Sequence, residues 1–321
     1  MKLHLIPLLA ALLAPLSARA DDLTVQLRGP VRAESAGFVW AQAHGLYAAE
    51  GLEVTLLPAD EAPPFESLAR GAADLTVEWL PTALVAREHG LPVVNVAQIM
   101  AKPALRLTCL AESGVKTAAD LRGRTIASSF RGTEYPLRVW LNRLGLTVED
   151  SLDGVSLLGQ WPGPSGAAEM LRQRQTACAG TLSYDRLPGA GLVVLDPATQ
   201  GASTLEDGLY ALPTGLADKD RLARFIRASM AGWHQAVAEP DAAARLVLGP
   251  DPDPQLLRHQ AAMIAGIGPL LSPDGRLDPQ AYAASVGALR AGGAAALLTQ
   301  EPQGAALDVV PPPAQQPRPT P

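Results

Sequence analysis

At 321 residues, 48% of them hydrophobic, the chain can bury a large core, and its length favours two domains over one. A formal net charge of −6 argues against nucleic acid or anionic lipid as a partner. Aromatic residues are only 4% of the chain, so each position at which one stands is informative.

Residues 1–20 carry Lys2, an apolar run from Leu3 to Leu16 broken by Pro7 and Pro15, and Ala18-Arg19-Ala20 as a small-x-small cleavage site. They read as a secretory signal peptide, too short and too interrupted by proline to span a bilayer. Its removal takes away Lys2 and Arg19 and moves the charge to −8. No Cys follows the cleavage site, so the mature chain from Asp21 is expected to be soluble and without a lipoprotein anchor.

Strands and helices then alternate. "DLTVQLRG" is a strand, "AGFVWAQAHGLYAAEG" a helix closed by Gly51, "LEVTLLPA" a strand, "PPFESLARGA" a short helix, "DLTVEWL" a strand feeding the helix "PTALVAREHG", and "PVVNVAQI" a strand. Helices of this length between strands imply right-handed crossovers and a mainly parallel sheet flanked by helices. The rhythm restarts with "LRLTCLA", a short helix that Thr117 can cap, "GRTIASSF", the helix "EYPLRVWLNRLGL", "GVSLLGQ", "SGAAEMLRQRQ" and "TACAGTLSY". Two such α/β units predict two lobes. Lobe 1 is expected from 21–105 and 186–300, and lobe 2 from 106–185.

"DKDRLARFIRASMAGWHQAVAE" predicts a long amphipathic helix, with Leu222, Phe225, Ile226, Ser229, Gly232, Trp233 and Val237 at helical spacing. Further helices follow, punctuated by Pro and Gly, and the Pro-rich residues 304–321 read as a disordered tail. Cys109 and Cys178 each fall in a predicted strand; in an oxidising compartment they are either a disulfide between neighbouring strands or two buried thiols.

The stretches "AGFVWAQAHGLYAAEGLEVTLLPA", "WLPTALVAREHGLPVVNVAQI", "IASSFRGTEYPLRVWL", "TLEDGLYAL" and "RFIRASMAGWHQAVAEP" resemble, in order over roughly residues 23 to 245, the periplasmic solute-binding proteins of ABC importers. The branch is that of the nitrate, sulfonate and taurine binders, and within it the chain is most similar to the thiamine-pyrimidine-precursor group, NMT1/THI5-like. The resemblance implies a type II periplasmic binding fold with two hinge strands, a cleft that closes on one small solute, and a permease and ATPase complex as partner. It also implies a periplasmic monomer with no cofactor.

In open α/β sheets ligands sit beyond the carboxyl ends of strands, beside helix N-termini, and four strand-to-helix joints supply such a lining here. At the first, "RGPVRAESAGF", the candidate contacts are Arg32, Glu34 and Ser35, with Ser35 equally suited to capping the helix. At the second, Glu78 and Trp79 end a strand and Pro81 opens a helix beside Thr82; Trp79 either stacks on a planar ring or packs in the core. The third, "SFRGTEYP", offers Arg131, Thr133, Glu134 and Tyr135, and a carboxylate there can accept side by side from an amine and a ring N–H. Members of the resembled group carry an amide at Glu34 and a second Gly at Arg131. The fourth, "TLSYDRLPG", is read as the return hinge, with Ser183, Tyr184 and Asp185 reaching inwards and Asp207 joining them from the other lobe. Trp40, Tyr47, Trp140 and Trp233 read as core.

Catalysis finds little support. His4, His44, His89, His234 and His259 are scattered, with no H-E-x-x-H and no metal-ligand cluster. "GPSGA" falls one Gly short of a nucleophile elbow, and the Cys-rich iron motif of the eukaryotic pyrimidine synthases is missing. The residues therefore favour capture of a planar, amine-bearing heterocycle. The other readings are an alkanesulfonate, taurine or nitrate held by helix N-termini with Ser35, Thr82 and Arg131, and a secreted enzyme on the same fold.

Overall fold

The computed structural model describes residues 20–59, 64–130, 132–148, 153–161, 166–185, 187 and 191–291. Residues 1–19 of the expected signal peptide, the expected tail and Arg131 lie outside the described residues.

Among the described residues, ten strands form two five-stranded sheets. The first contains β1 (Asp21–Gln26), β2 (Leu52–Leu57), β3 (Leu75–Glu78), β4 (Val94–Gln98) and β10 (Gly208–Ala211), in the order β2-β1-β3-β10-β4. The second contains β5 (Leu105–Leu110), β6 (Thr125–Ser128), β7 (Ser156–Gly159), β8 (Cys178–Leu182) and β9 (Leu192–Leu195), in the order β7-β6-β8-β5-β9. β1 runs parallel to β2 and β3, and β6 to β7 and β8, as helical crossovers require. The other pairings, β10 with β3 and β4 and β5 with β8 and β9, are antiparallel. The reversed strands are the ones that cross between lobes: β5 carries the chain out of the first sheet and β10 brings it back.

The return comes later than the sequence predicts. Residues 183–185 follow β8, but the chain then turns back to pair β9 with β5 before leaving the second sheet. The second lobe therefore runs past residue 185, and the return crossing is the segment ahead of β10. Ser183 still lies beside the outgoing crossing, its amide donating to the Ala104 carbonyl at 2.7 Å.

The long helix spans Lys219–Ala238 and buries Leu222, Phe225, Ile226, Ser229, Gly232 and Trp233 against the first lobe. It crosses the helix Ala36–Ala43 at a contact that admits only glycine: a Cβ on Gly37 would lie 2.1 Å from Trp233 Cγ, and one on Gly232 would lie 2.4 Å from the Gly37 carbonyl oxygen. Trp40 and Tyr47 are core residues whose polar tips are satisfied, Trp40 Nε1 donating to Gln235 at 2.9 Å and Tyr47 pairing with Ser229 at 3.0 Å. Pro240, Pro254 and Pro279 each open a following helix, where the missing N–H costs nothing.

Cys109 and Cys178 stand directly opposite one another in the β5–β8 ladder and are joined in a disulfide, with no solvent exposure at either residue. The bridge closes a sequence separation of 69 residues within one lobe. Chain-entropy arithmetic for a loop of this length gives about 4 kcal/mol of stabilisation. Urea denaturation of the Cys109→Ala/Cys178→Ala variant is expected to show a loss of about that size; an unchanged midpoint would mean that the β5–β8 ladder holds the lobe without the bridge.

Candidate functional site

The carboxyl ends of β1, β3, β6 and β8 open onto a cleft of about 530 Å³ between the lobes, a volume suited to one small molecule. Arg28, Arg32, Glu34, Ser35 and Asp207 line it from the first lobe, and Ser129, Thr133, Gln160, Trp161, Thr181 and Asp185 from the second. His259, Gln260 and Met263 reach it from the helix Pro254–Ile267.

The cleft floor is built around one carboxylate oxygen. Asp207 Oδ1 accepts from Trp79 Nε1 at 2.7 Å and from Arg28 Nε at 3.1 Å, and the Arg28 guanidinium carbon lies 5.0 Å from the Trp79 ring centroid. Burial opposes the Arg28 charge, but the carboxylates of Asp207, Glu78 and Glu34 more than offset it and hold the guanidinium above its ordinary value. Arg28 lies inside the first strand-to-helix joint, yet the sequence gives no reason to single it out. Its partner Asp207 is 179 residues away and becomes a neighbour only when β10 inserts beside β3.

Trp79 itself is 1% exposed and belongs to the apolar cluster of the second lobe, with Leu107, Leu137 and Trp140. Tyr184 makes the reciprocal exchange, buried in the core of the first lobe. Neither lines the cleft: both aromatics are spent on joining the lobes. Ser183 is likewise outside it.

Glu78, Thr82, Glu134 and Tyr135 gather at a second place, a seam where the lobes touch. Glu78 is 3% exposed and accepts from the Trp79 amide at 2.8 Å. Glu134 accepts from the Gly132 amide at 2.9 Å. Gly132 has a φ of +99°, and a Cβ there would lie 2.7 Å from Thr82 Oγ1 and 3.7 Å from Glu78 Oε1, so the turn that follows β6 presses its backbone on the start of the helix Leu80–Glu88. Burial pushes Glu78 up to about 8, against the pull of Arg28 and the Trp79 amide, with Asp207 and Glu134 adding to the rise. Glu134 is also raised, chiefly by burial.

Within the cleft, Thr133 is held by Ser129 at 2.7 Å and Ser128 at 3.1 Å, and Ser35 exchanges hydrogen bonds with the backbone of Arg32 across the short turn Ala33–Ser35. The Ser35 side chain makes no cap bond to the helix Ala36–Ala43, the role open to it from the sequence. Glu34 stands half-buried in the lining. Asp185 accepts from the Leu182 amide at 2.6 Å; burial, with Glu34 adding to it, raises its carboxyl to about 7. The cleft thus brings Arg32, Glu34, Ser35, Thr133, Asp185 and Asp207 together, while Glu78, Trp79, Thr82, Glu134, Tyr135, Ser183 and Tyr184 lie in the seam or behind it. Besides Arg28, the sequence misses Trp161, although its place just after a strand end is the same signal that picked out Trp79. No cluster of metal-ligating side chains exists among the described residues.

Next to Asp207, Glu206 serves the crossing. Its Oε1 accepts from the consecutive amides of Ala104 and Leu105, both at 2.7 Å, while its Oε2 is buried without a partner. Burial, with Asp207 adding to it, lifts this carboxyl to about 8.

Residues 32–153 match the family model described as NMT1/THI5 like, so the resemblance drawn from the sequence is borne out. A Haemophilus influenzae protein named for thiamine biosynthesis is 30% identical over 132 residues, 40% of this chain and 42% of that one. The formylaminopyrimidine-binding protein of Halalkalibacterium halodurans is 26% identical over 213 residues, 64% of this chain and 63% of that one. The chain thus spans about half the length of the curated relatives it matches. Among solved structures, the alkanesulfonate-binding protein SsuA from Xanthomonas axonopodis pv. citri, bound to MOPS, superposes with a TM-score of 0.67 at 15% identity, covering 92% of this chain and 99% of that one. The desulfurization enzyme DSZB does so at 0.55 and 16%, over 91% and 97%. At these identities the likeness is one of fold: this is the two-lobe α/β architecture of the periplasmic binding proteins, type II.

The raised carboxyls have a consequence for stability. Between pH 4.5 and about 8 the native state holds protons on Glu78 and Glu206 that the unfolded chain has released, so stability falls as pH rises through that window. The melting temperature is expected to be higher at pH 5.5 than at pH 8. Glu206→Gln, which keeps an acceptor for the Ala104 and Leu105 amides, is expected to flatten the dependence; a melting temperature that climbs from pH 5.5 to pH 8 in both proteins would contradict this.

Proposed function

We propose that this chain is the periplasmic substrate-binding component of an ABC importer and that it captures a small planar, amine-bearing heterocycle of the thiamine-pyrimidine-precursor kind. The observation that supports this most is the charge of the cleft. Arg28 is paired with Asp207, which leaves Arg32 facing two carboxylates, Glu34 of the first lobe and Asp185 of the second. A sulfonate or nitrate would meet repulsion from both lobes. An amine beside a ring N–H finds the acceptors it needs, since a carboxylate takes two such donors side by side. The formylaminopyrimidine-binding relative agrees with this choice of ligand.

The mechanism is capture without chemistry. Two crossings join the lobes, and a ligand held by Glu34 and Asp185 together stabilises the closed form, which the permease recognises. A buried disulfide suits the oxidising compartment that the predicted signal peptide leads to.

Isothermal calorimetry with formylaminopyrimidine, hydroxymethylpyrimidine, taurine and nitrate is expected to show tight binding of a pyrimidine alone. Asp185→Asn is expected to weaken that binding at least tenfold, about 1.4 kcal/mol, whereas Glu134→Gln, in the seam, changes it less than threefold. Sub-micromolar affinity for taurine would overturn the reading.

A further inference from the structure

The protein has five tryptophans, and four of them, Trp40, Trp79, Trp140 and Trp233, are between 1% and 3% exposed. Trp161 is 40% exposed, and it lines the cleft. Exposure of the largest apolar side chain at a concave site, when every other copy is buried, calls for a reason.

The main chain of Trp161 is held firmly while its ring is left open. Its amide donates to Met170 Sδ at 3.3 Å. A Cβ on Gly166 would lie 1.9 Å from the Trp161 carbonyl oxygen, so the first residue of the helix Gly166–Arg172 packs directly on it. Gln160, one residue before, is fixed by its side-chain amide to the Gly180 carbonyl at 2.6 Å. The indole Nε1, in contrast, makes no hydrogen bond among the described residues. Phe130, 44% exposed, comes within 3.9 Å of the site of a Cβ on Gly159, so a second open ring flanks the end of the same strand, β7.

The other aromatic groups near the cleft have prior engagements. Trp79 is gripped by Asp207, covered by Arg28 and packed in the second lobe. Phe38 is 1% exposed and stacks with Phe225 in the core of the first lobe. We infer that Trp161 is the platform on which a planar ring ligand stacks, with the ligand's amine directed to Glu34 and Asp185. This inference rests on the reading of the ligand as an amine-bearing heterocycle. It assigns ring recognition to the second lobe and makes Trp161 a specificity-determining residue: a saturated amine of similar size would satisfy the carboxylates and forfeit the stacking.

Because the other four tryptophans are buried, acrylamide quenching of the intrinsic fluorescence reports on Trp161. Saturating formylaminopyrimidine is expected to protect the fluorescence of the full chain from acrylamide, and Trp161→Phe is expected to abolish that protection while keeping the affinity within threefold. Trp161→Ala is expected to weaken binding at least tenfold with the melting temperature of the free protein unchanged. Unaltered affinity in Trp161→Ala, together with unprotected fluorescence in the wild type, overturns the inference and leaves the proposed function standing. If the wild type binds neither formylaminopyrimidine nor hydroxymethylpyrimidine, the proposed function falls and the inference falls with it.

Discussion

Two adjacent carboxylates, Glu206 and Asp207, hold the centre of the molecule together. Glu206 clasps the amides of Ala104 and Leu105, where the chain leaves the first lobe, from the segment in which it comes back. Asp207 takes the Trp79 indole and the Arg28 guanidinium on a single oxygen and so builds the cleft floor. Their backbones are bound as well: the Ile99 and Met100 amides donate to the Asp207 carbonyl at 3.0 and 3.1 Å, and the Gln98 side chain donates to the Glu206 carbonyl at 3.0 Å. Crossing and cleft therefore share one short stretch of chain.

Acidic groups recur wherever the lobes meet. Glu78 faces the Glu134 side of the seam, and burial, with Glu34 across the cleft adding to it, raises Asp185. Closing the lobes brings like charges out of water, which costs free energy unless a proton or a donor-bearing ligand arrives with them. Under the proposed function, an empty closed form is thereby penalised and an amine-filled one is not, which gives ligand-dependent closure a physical basis.

Much of this was legible in the sequence, and the misses share a cause. Alternating strands and helices, the long helix and the buried Trp40, Tyr47 and Trp233 follow from local periodicity and need no knowledge of long-range contacts. The joints are visible too, since Pro81 marks a helix start directly after a strand. Which side chains at a joint face the ligand depends on what comes to meet them. The sequence leaves Trp79 open to stacking on a ligand or packing in the core, and it is Asp207, 128 residues later, that holds its indole inside. The return crossing lies later than the local pattern implies because nothing local announces that β9 still pairs with β5. The disulfide needed the register of β5 and β8, which composition alone does not give.

The most direct test of the central claim, that an acidic interlobe cleft closes on an amine-bearing ring, is a crystal structure with formylaminopyrimidine bound. The expected result is a ring between the lobes, its amine within hydrogen-bond distance of a carboxylate oxygen of Glu34 or Asp185. A ring bound outside the cleft, or one whose amine meets neither carboxylate, would contradict it.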